Sequence, residues 1–270
     1  MIIIAEKLNG SIPSCAEAIA ARDETYIKDL AKRQADAGAA FIDCCASVSN
    51  GEFETLKWMI DCIQNVTDCP ISVDSPDVQV IVDAMALCKK PGLFNSVSGE
   101  GGKIDLAFPI LTRPENKKWH VMALLCDDTG IPRSAAKRIE VADKVMAKAM
   151  EYGIEDSRIH IDPLIEMLCT TEDGDGIFMV LEVMNYIKSA YPGVHISGAI
   201  SNISYNLPVR RLVNQAFASV AVSAGMNSAV MDPLDQDLRG VICAAEALTG
   251  LDDFCAEYTS AYREGIFGAK

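Results

Sequence analysis

Carboxylates and amides recur in this chain at one kind of place, immediately after short β-branched runs: Glu6 and Asn9, Asp43, Asp74, Asn95, Asp127 and Asp128, Asp162, Asn202 and Asp232. Asp and Asn in such places are often turn formers or helix N-caps, and Asp77 and Ser134 read that way. The turn explanation weakens for Asp74, Asp162 and Asn202, each of which sits inside an apolar or small run, as in Ile159-His160-Ile161-Asp162-Pro163-Leu164. A carboxylate so placed faces a partly desolvated cavity, and unpaired it costs several kcal/mol, so it calls for a ligand carrying N–H donors. The interleaved amides both donate and accept. The mixture suits a nitrogen heterocycle better than an ion and no metal is expected, although a Mg²⁺ site of carboxylates alone stays open. The three histidines, His120, His160 and His195, fall at the starts or middles of their runs and read as structural.

Bringing these groups together requires elements that end together. The β-branched runs Ile2 to Ala5, Ala40 to Cys44, Ile71 to Val73, Leu93 to Asn95, His120 to Leu125, Ile159 to Ile161, His195 to Ala199 and Ser228 to Met231 read as strands, each followed by a helical pattern. Between Glu52 and Val66, the residues Phe53, Leu56, Met59, Ile60, Ile63 and Val66 share one face. A second helix is legible from Ser134, its N-cap, to Gly153, its left-handed stop, with Ile139, Ala142, Val145, Met146 and Ala149 turned inward. Strict alternation over about 250 residues predicts a single (β/α)8 TIM barrel, an α/β fold, with residues 1–270 as one domain. The competing arrangement is an open, doubly wound sheet. In a barrel, the carboxyl ends of the strands converge on one mouth.

Composition narrows the function. A formal charge of −14 and a pI near 4.6 repel phosphate backbones and anionic membranes, so neither nucleic acid nor a membrane is an expected partner. The ten cysteines lie in apolar runs and no pair is spaced Cys-x-x-Cys, which predicts core thiols in a reduced, cytoplasmic protein. The start is charged too soon for a signal sequence, and no run reaches the length of a membrane span. Gly99-Glu100-Gly101-Gly102-Lys103 has the wrong spacing for a phosphate loop. Glu172-Asp173-Gly174-Asp175-Gly176 lacks the later bidentate acid of a calcium loop. No nucleophile elbow is present.

The strand-end series resembles the pterin-binding barrels, and among them the methyltetrahydrofolate:corrinoid methyltransferases, along essentially the whole chain. Ile3-Ile4-Ala5-Glu6-Lys7-Leu8-Asn9 is similar to that family's opening Gly-Glu-Arg-Ile-Asn, Val73-Asp74-Ser75 to its Leu-Asp-Ser, and Phe94-Asn95-Ser96 to its Ile-Asn-Ser. Ile161-Asp162-Pro163-Leu164 and Ser201-Asn202-Ile203-Ser204 match its Ile-Asp-Pro-Leu and Ser-Asn-Val-Ser almost letter for letter. The departures are Ala5 for Gly, Lys7 for Arg, and Pro76 where Thr is more frequent. Lys7 keeps the charge without the planar fork. The dihydropteroate synthases share the barrel, but their Asn-x-Thr-Pro-Asp-Ser-Phe loop is replaced here by Asn9-Gly10-Ser11-Ile12-Pro13-Ser14.

The resemblance implies a methyltransferase acting between N5 of tetrahydrofolate and the cobalt of a corrinoid (cobalamin), with tetrahydrofolate or 5-methyltetrahydrofolate as substrate. By the same resemblance Asp74, Asn95 and Asp162 hold the pterin, Asp162 facing N3–H and the exocyclic amine. Asn202 sits at N5 as the catalytic residue, Arg210 lies against the folate, and Glu6, Asn9 and Ser201 complete the site. An arginine starting a helix is the competing reading of Arg210. Corrinoid carriers bear Asp-x-His-x-x-Gly, but Lys118, Arg158 and Gly193 stand two residues before the histidines, so the corrinoid is expected on a separate protein. A homodimer is implied by the resemblance alone. Two alternatives remain: a metal-assisted barrel hydrolase or lyase, and a non-catalytic folate-binding protein.

Overall fold

The computed structural model describes residues 1–47, 51–170 and 176–268. The glycine-rich acidic stretch from Glu172 to Asp175 lies outside the described residues. The strands are β1 (Ile2–Asn9), β2 (Phe41–Cys45), β3 (Ile71–Asp74), β4 (Leu93–Gly99), β5 (His120–Asp127), β6 (Ile159–Asp162), β7 (His195–Ile196) and β8 (Ser228–Met231). All pair in parallel, in the order β7-β6-β5-β4-β3-β2-β1-β8. The two edges then meet. Val230 N–H donates to the Gly198 carbonyl at 3.0 Å, Asn227 N–H donates to that of Ile196 at 3.2 Å, and Ala199 bridges in parallel to Val230. The sheet is thus the expected barrel and not an open doubly wound one.

The helices pack around it. α1 (Pro13–Ala21) and α2 (Glu24–Asp36) follow β1. α3 (Glu52–Gln64), α4 (Val78–Met85), α5 (Lys103–Leu111), α6 (Ala135–Tyr152), α7 (Gly176–Ala190) and α8 (Arg210–Ser223) follow the next six strands in turn, and α9 (Gln236–Leu248) and α10 (Ala256–Arg263) follow β8. The predicted caps are in place. Ser134 Oγ accepts from Lys137 N–H, Asp77 Oδ1 accepts from Gln79 N–H at 2.8 Å, and Gly153 ends α6 at φ 73°.

Most strand ends lie within two residues of the periodicity; three depart further, and one of these is β4, which runs on to Gly99 where an end at Asn95 was expected. β1 runs to Asn9, with a register shift between Ala5 and Leu8 that keeps it paired with β2 and places Glu6 and Asn9 within the strand. β7 stops at Ile196 where a strand to Ala199 was expected, because Gly198 adopts φ 150° and the chain winds into a 3₁₀ turn at Ile200–Ser204.

Alternation along the strands sorts the residues into two environments. Ile3, Ile42, Cys44, Ile71, Val73, Phe94, Val121, Ala123, Ile159, Ile161, Ile196 and Ala229 join the main core under the helices. The opposite parity fills the barrel, where Ile4, Phe41, Leu93 and Met122 form a separate apolar cluster. Beside that cluster, level with Leu93 and Met122, the histidines bond to one another and to serine. His120 Nδ1 lies 3.0 Å from His160 Nε2, and His160 Nδ1 lies 2.9 Å from Ser228 Oγ. Burial pushes His120 down to about 4 and His160 well below the usual imidazole range, so both pack as neutral rings. Above the cluster, the same inward parity carries Glu6, Asp43, Asp74, Asn95 and Asp162. The ten cysteines are free thiols; Cys15, Cys44, Cys45, Cys62 and Cys126 are buried, whereas Cys169 and Cys255 are exposed.

Candidate functional site

The acids and amides at the strand ends fall into three groups around the rim. In the first, register does the positioning: Asn9 pairs with Cys45, Cys45 with Asp74, and Asp74 with Asn95, so these residues succeed one another across β1, β2, β3 and β4. Burial raises the Asp74 carboxyl to about 6, a hydrogen bond with Cys45 opposing the shift and the Glu52 charge adding to it. The Asn9 side-chain oxygen is taken by its own turn, accepting from Ser11 N–H at 2.8 Å and Ser11 Oγ at 2.6 Å. What Asn9 still offers a ligand is its NH₂ group.

In the second group, Ser201 Oγ donates to Glu6 Oε2 at 3.0 Å across the β1–β7 side. The Ser201 carbonyl accepts from Arg210 Nη2 at 2.8 Å, and Arg210 Nε donates to Ser204 Oγ at 3.0 Å. The guanidinium also lies over the Tyr205 ring, 5.4 Å from its centre. Arg210 does open α8, but its head folds back onto the turn that carries Asn202, so the two readings of this residue are compatible. Burial raises the Glu6 carboxyl, opposed by the adjacent Lys7 charge and the Ser201 hydrogen bond. Lys7 Nζ stands 3.7 Å from Glu6 and 3.4 Å from Asp232. Asn202 is exposed, and its side chain bonds to no other described residue.

The third group is Asp162 at the end of β6. Its Oδ1 accepts from Leu164 N–H at 2.7 Å, and burial raises its carboxyl to about 6. Across the gap stands Gly198, where a Cβ would meet Ile165 Cδ1 at 2.6 Å and Asp162 Oδ1 at 3.3 Å; the glycine keeps the carboxylate's surroundings clear.

The remaining strand-end acids serve local structure. Asp127 Oδ1 accepts from Thr129 N–H at 3.0 Å and Thr129 Oγ1 at 2.6 Å, and Asp128 Oδ1 accepts from Gly101 N–H at 2.8 Å. Asp232 Oδ1 accepts from Leu234 N–H at 2.9 Å. Among the described residues no three His, Cys, Asp or Glu side chains are arranged to hold a metal ion. A small hollow lined by Gln64, Cys69, Ile71, Cys88 and Lys90 opens at the amino-terminal start of β3, away from this rim.

Asp43 belongs to the site without reaching its surface. It is 2% exposed, and its Oδ1 accepts from Ser72 Oγ at 2.6 Å and from Asn95 Nδ2 at 3.2 Å. Burial and the Asp74 charge hold its carboxyl well above the usual range, favouring the neutral acid. The bond also fixes the Asn95 amide with its oxygen free to accept. Inward parity after Phe41 was the available signal, but Asp43 sits two residues short of the strand's end. Asp43→Asn preserves shape and neutrality and should leave the thermal midpoint almost unchanged. Asp43→Ala takes the acceptor from the buried Ser72 hydroxyl and the half-buried Asn95 amide and should cost about 1–3 kcal/mol in the same unfolding measurement.

The pattern described as "Pterin binding enzyme" matches residues 8–232. The chain is 43% identical over 269 residues to a methylcorrinoid:tetrahydrofolate methyltransferase of Eubacterium limosum, covering 99% of this chain and 98% of that protein. It is 27% identical over 242 residues to methionine synthase of Mycobacterium tuberculosis, covering 86% of this chain and 20% of that much longer protein. Among solved structures, a dihydropteroate synthase of Coxiella burnetii in complex with pteroic acid superposes with a TM-score of 0.66 at 18% identity, over 85% of this chain and 87% of that one. The 7,8-dihydropteroate synthase of Vibrio fischeri superposes with a TM-score of 0.68 at 14% identity, over 92% and 93%. These likenesses bear on the barrel architecture alone.

Proposed function

The chain belongs to the pterin-binding enzymes, and from that membership we propose that it transfers a methyl group from a methylcorrinoid to N5 of tetrahydrofolate. The observation that carries the proposal is the end-to-end match to a protein of that activity, with no segment of either chain left over beyond a few residues. The ring of acids and amides supports it from the side of chemistry. A reduced pterin presents adjacent N–H donors along its pyrimidine edge, and Asp162, with Oδ2 free, is shaped to accept them. Asp74 and the Asn95 oxygen take further ring donors, with Glu6, Asn9, Ser201 and Arg210 completing the wall. The corrinoid belongs to a separate protein seated over the rim, where Tyr205, Val209 and Leu212 stand exposed close to Asn202 in the chain. We assign the whole chain, 1–270, to one pterin-binding domain, working in the cytoplasm as a homodimer. Among the described residues no helix is long and apolar enough to cross a membrane.

The reaction is an in-line displacement. The N5 lone pair forms the new N–CH₃ bond, the methyl–cobalt bond breaks with its electron pair left on cobalt, and N5 sheds its proton. The protein supplies position and charge. Asn202 accepts from N5–H before transfer and, with its amide turned, donates to the unprotonated nitrogen, and its exposure gives the released proton a path to water.

The test is to mix the purified protein with tetrahydrofolate and a methylated corrinoid protein or free methylcobalamin. The expected result is loss of the methyl–cobalt absorbance matched by 5-methyltetrahydrofolate. No transfer with either donor, or activity abolished by a chelator and restored by Mg²⁺ or Zn²⁺, sinks the proposal. The pH dependence follows from the same site. Asp74 and Asp162 both lose their protons near 6 in the free protein. The pterin N–H groups need the ionised form, so affinity should climb as pH rises through about 6 and level off above it. Titration calorimetry from about pH 5 to about pH 8 reads this directly.

A further inference from the structure

The inner face of α6 carries Arg138, which is fully buried on a surface where every other inward residue is apolar or small. Its guanidinium is spent on one short stretch of chain. Nη1 donates to the carbonyls of both Pro163 and Leu164, the latter at 2.6 Å, and Nη2 pairs with Glu166. Nε donates to the Pro132 carbonyl at 3.0 Å, tying that stretch to the start of its own helix. Glu166 is held from the far side by Arg133 at 2.9 Å.

The stretch so held is the one that aims Asp162. Leu164 adopts φ 65°, a left-handed conformation that a γ-branched residue enters only at a cost of about 1–3 kcal/mol. In that conformation its N–H turns back to Asp162 Oδ1 at 2.7 Å, which leaves Oδ2 without a hydrogen-bond partner among the described residues. The carbonyls on both sides of the strained residue are the ones Arg138 grips. A planar fork with several fixed donors can hold two carbonyls and a carboxylate at once, which an ammonium on a flexible stem cannot match.

We propose that Arg138 is the positioning residue for the pterin-binding carboxylate: by clamping Pro163 and Leu164 it fixes the Leu164 N–H on Asp162 and sets the direction of the free oxygen. The proposal rests on the reading that Asp162 receives the pterin. It touches no substrate itself and leaves the chemistry at Asn202 alone. The neighbouring strands bring no charge against Asp162, since β5 pairs Leu124 with it and β7 leads to Gly198. The charge acting on it is that of Arg138, with Glu166 and Arg133 beyond. Both the Leu164 bond and the Arg138 charge pull the Asp162 carboxyl down from where burial alone would leave it.

The experiment compares Arg138→Met, Arg138→Lys, Glu166→Gln and Asp162→Asn with the unchanged chain. It measures thermal unfolding, tetrahydrofolate affinity across pH, and steady-state methyl transfer. Arg138→Met should weaken pterin binding about a hundredfold and raise KM accordingly, in the range expected for a misplaced binding group, with kcat largely retained. Its affinity–pH midpoint should move upward from about 6. Arg138→Lys should recover part of both, and Glu166→Gln, which leaves the guanidinium in place, should move them least. Where Arg138→Met does not fold, the lysine and glutamine variants carry the same ordered shifts. A folded Arg138 variant that loses only thermal stability, with affinity and pH midpoint unchanged, overturns the proposal while leaving the Asp162 reading intact. Unaltered binding by Asp162→Asn overturns both.

Discussion

Asp162→Ala is expected to give a folded barrel that binds tetrahydrofolate about a hundredfold to ten-thousandfold more weakly. In the proposed site the pterin edge brings two N–H donors to this carboxylate, and each charge-assisted hydrogen bond is worth roughly 1.5–3 kcal/mol. Losing both therefore removes about 3–6 kcal/mol, at roughly 1.4 kcal/mol for each factor of ten. The fold should survive. Oδ1 serves only the Leu164 N–H, and Arg138 still holds the Pro163 and Leu164 carbonyls. Asp162→Asn separates charge from shape, because an amide keeps one acceptor and turns a donor toward the ligand's donors. It should bind as poorly as the alanine variant. Calorimetric affinities within about threefold of the unchanged chain would remove Asp162 from the site.

Asn202→Ala should behave in the opposite way, lowering the rate of methyl transfer about tenfold to a hundredfold while changing tetrahydrofolate affinity by no more than about threefold. Asn202 is exposed and unbonded to described neighbours, so its removal strands nothing inside the protein. In the proposed mechanism that freedom lets the amide turn as N5 passes from N–H to methylated nitrogen. Asn202→Asp is the informative companion. A carboxylate accepts from N5–H but has no donor for the other protonation state, so it should shift the equilibrium between bound substrate and bound product while the overall equilibrium stays fixed. Single-turnover kinetics separate the chemical step from binding. A rate unaffected by Asn202→Ala would move the catalytic role elsewhere on the rim.

Much of the barrel was legible because its strands obey one rule and its helices another. Ile71-Ser72-Val73-Asp74 and Ile159-His160-Ile161-Asp162 alternate between the helix-covered core and the barrel interior, so parity alone turns Asp74 and Asp162 inward. Positions where local chemistry departs from period were harder. The periodicity ended β1 at Ala5, whereas the shift before Leu8 restores pairing and extends the strand to Asn9. It carried β7 through Ala199, whereas the regular strand ends at Ile196 and only a bridge from Ala199 to Val230 lies beyond it. Arg138 was hidden for a different reason. An arginine on a helix reads as solvent-facing, and nothing local reveals that two carbonyls more than twenty residues away wait for its guanidinium. Asp43 was visible as a strand acid, but its partner Asn95 lies two strands away and only the register brings them together.

The plug of Ile4, Phe41, Leu93 and Met122 inside the barrel has a kinetic consequence. Packed side chains close the barrel from below, so a ligand at the proposed pterin site has the rim as its way in. On the proposed function, a carrier seated over the rim would cover that way in. Folate is therefore expected to load before the carrier docks and to leave after it departs, an order that initial-rate kinetics with both substrates varied would test.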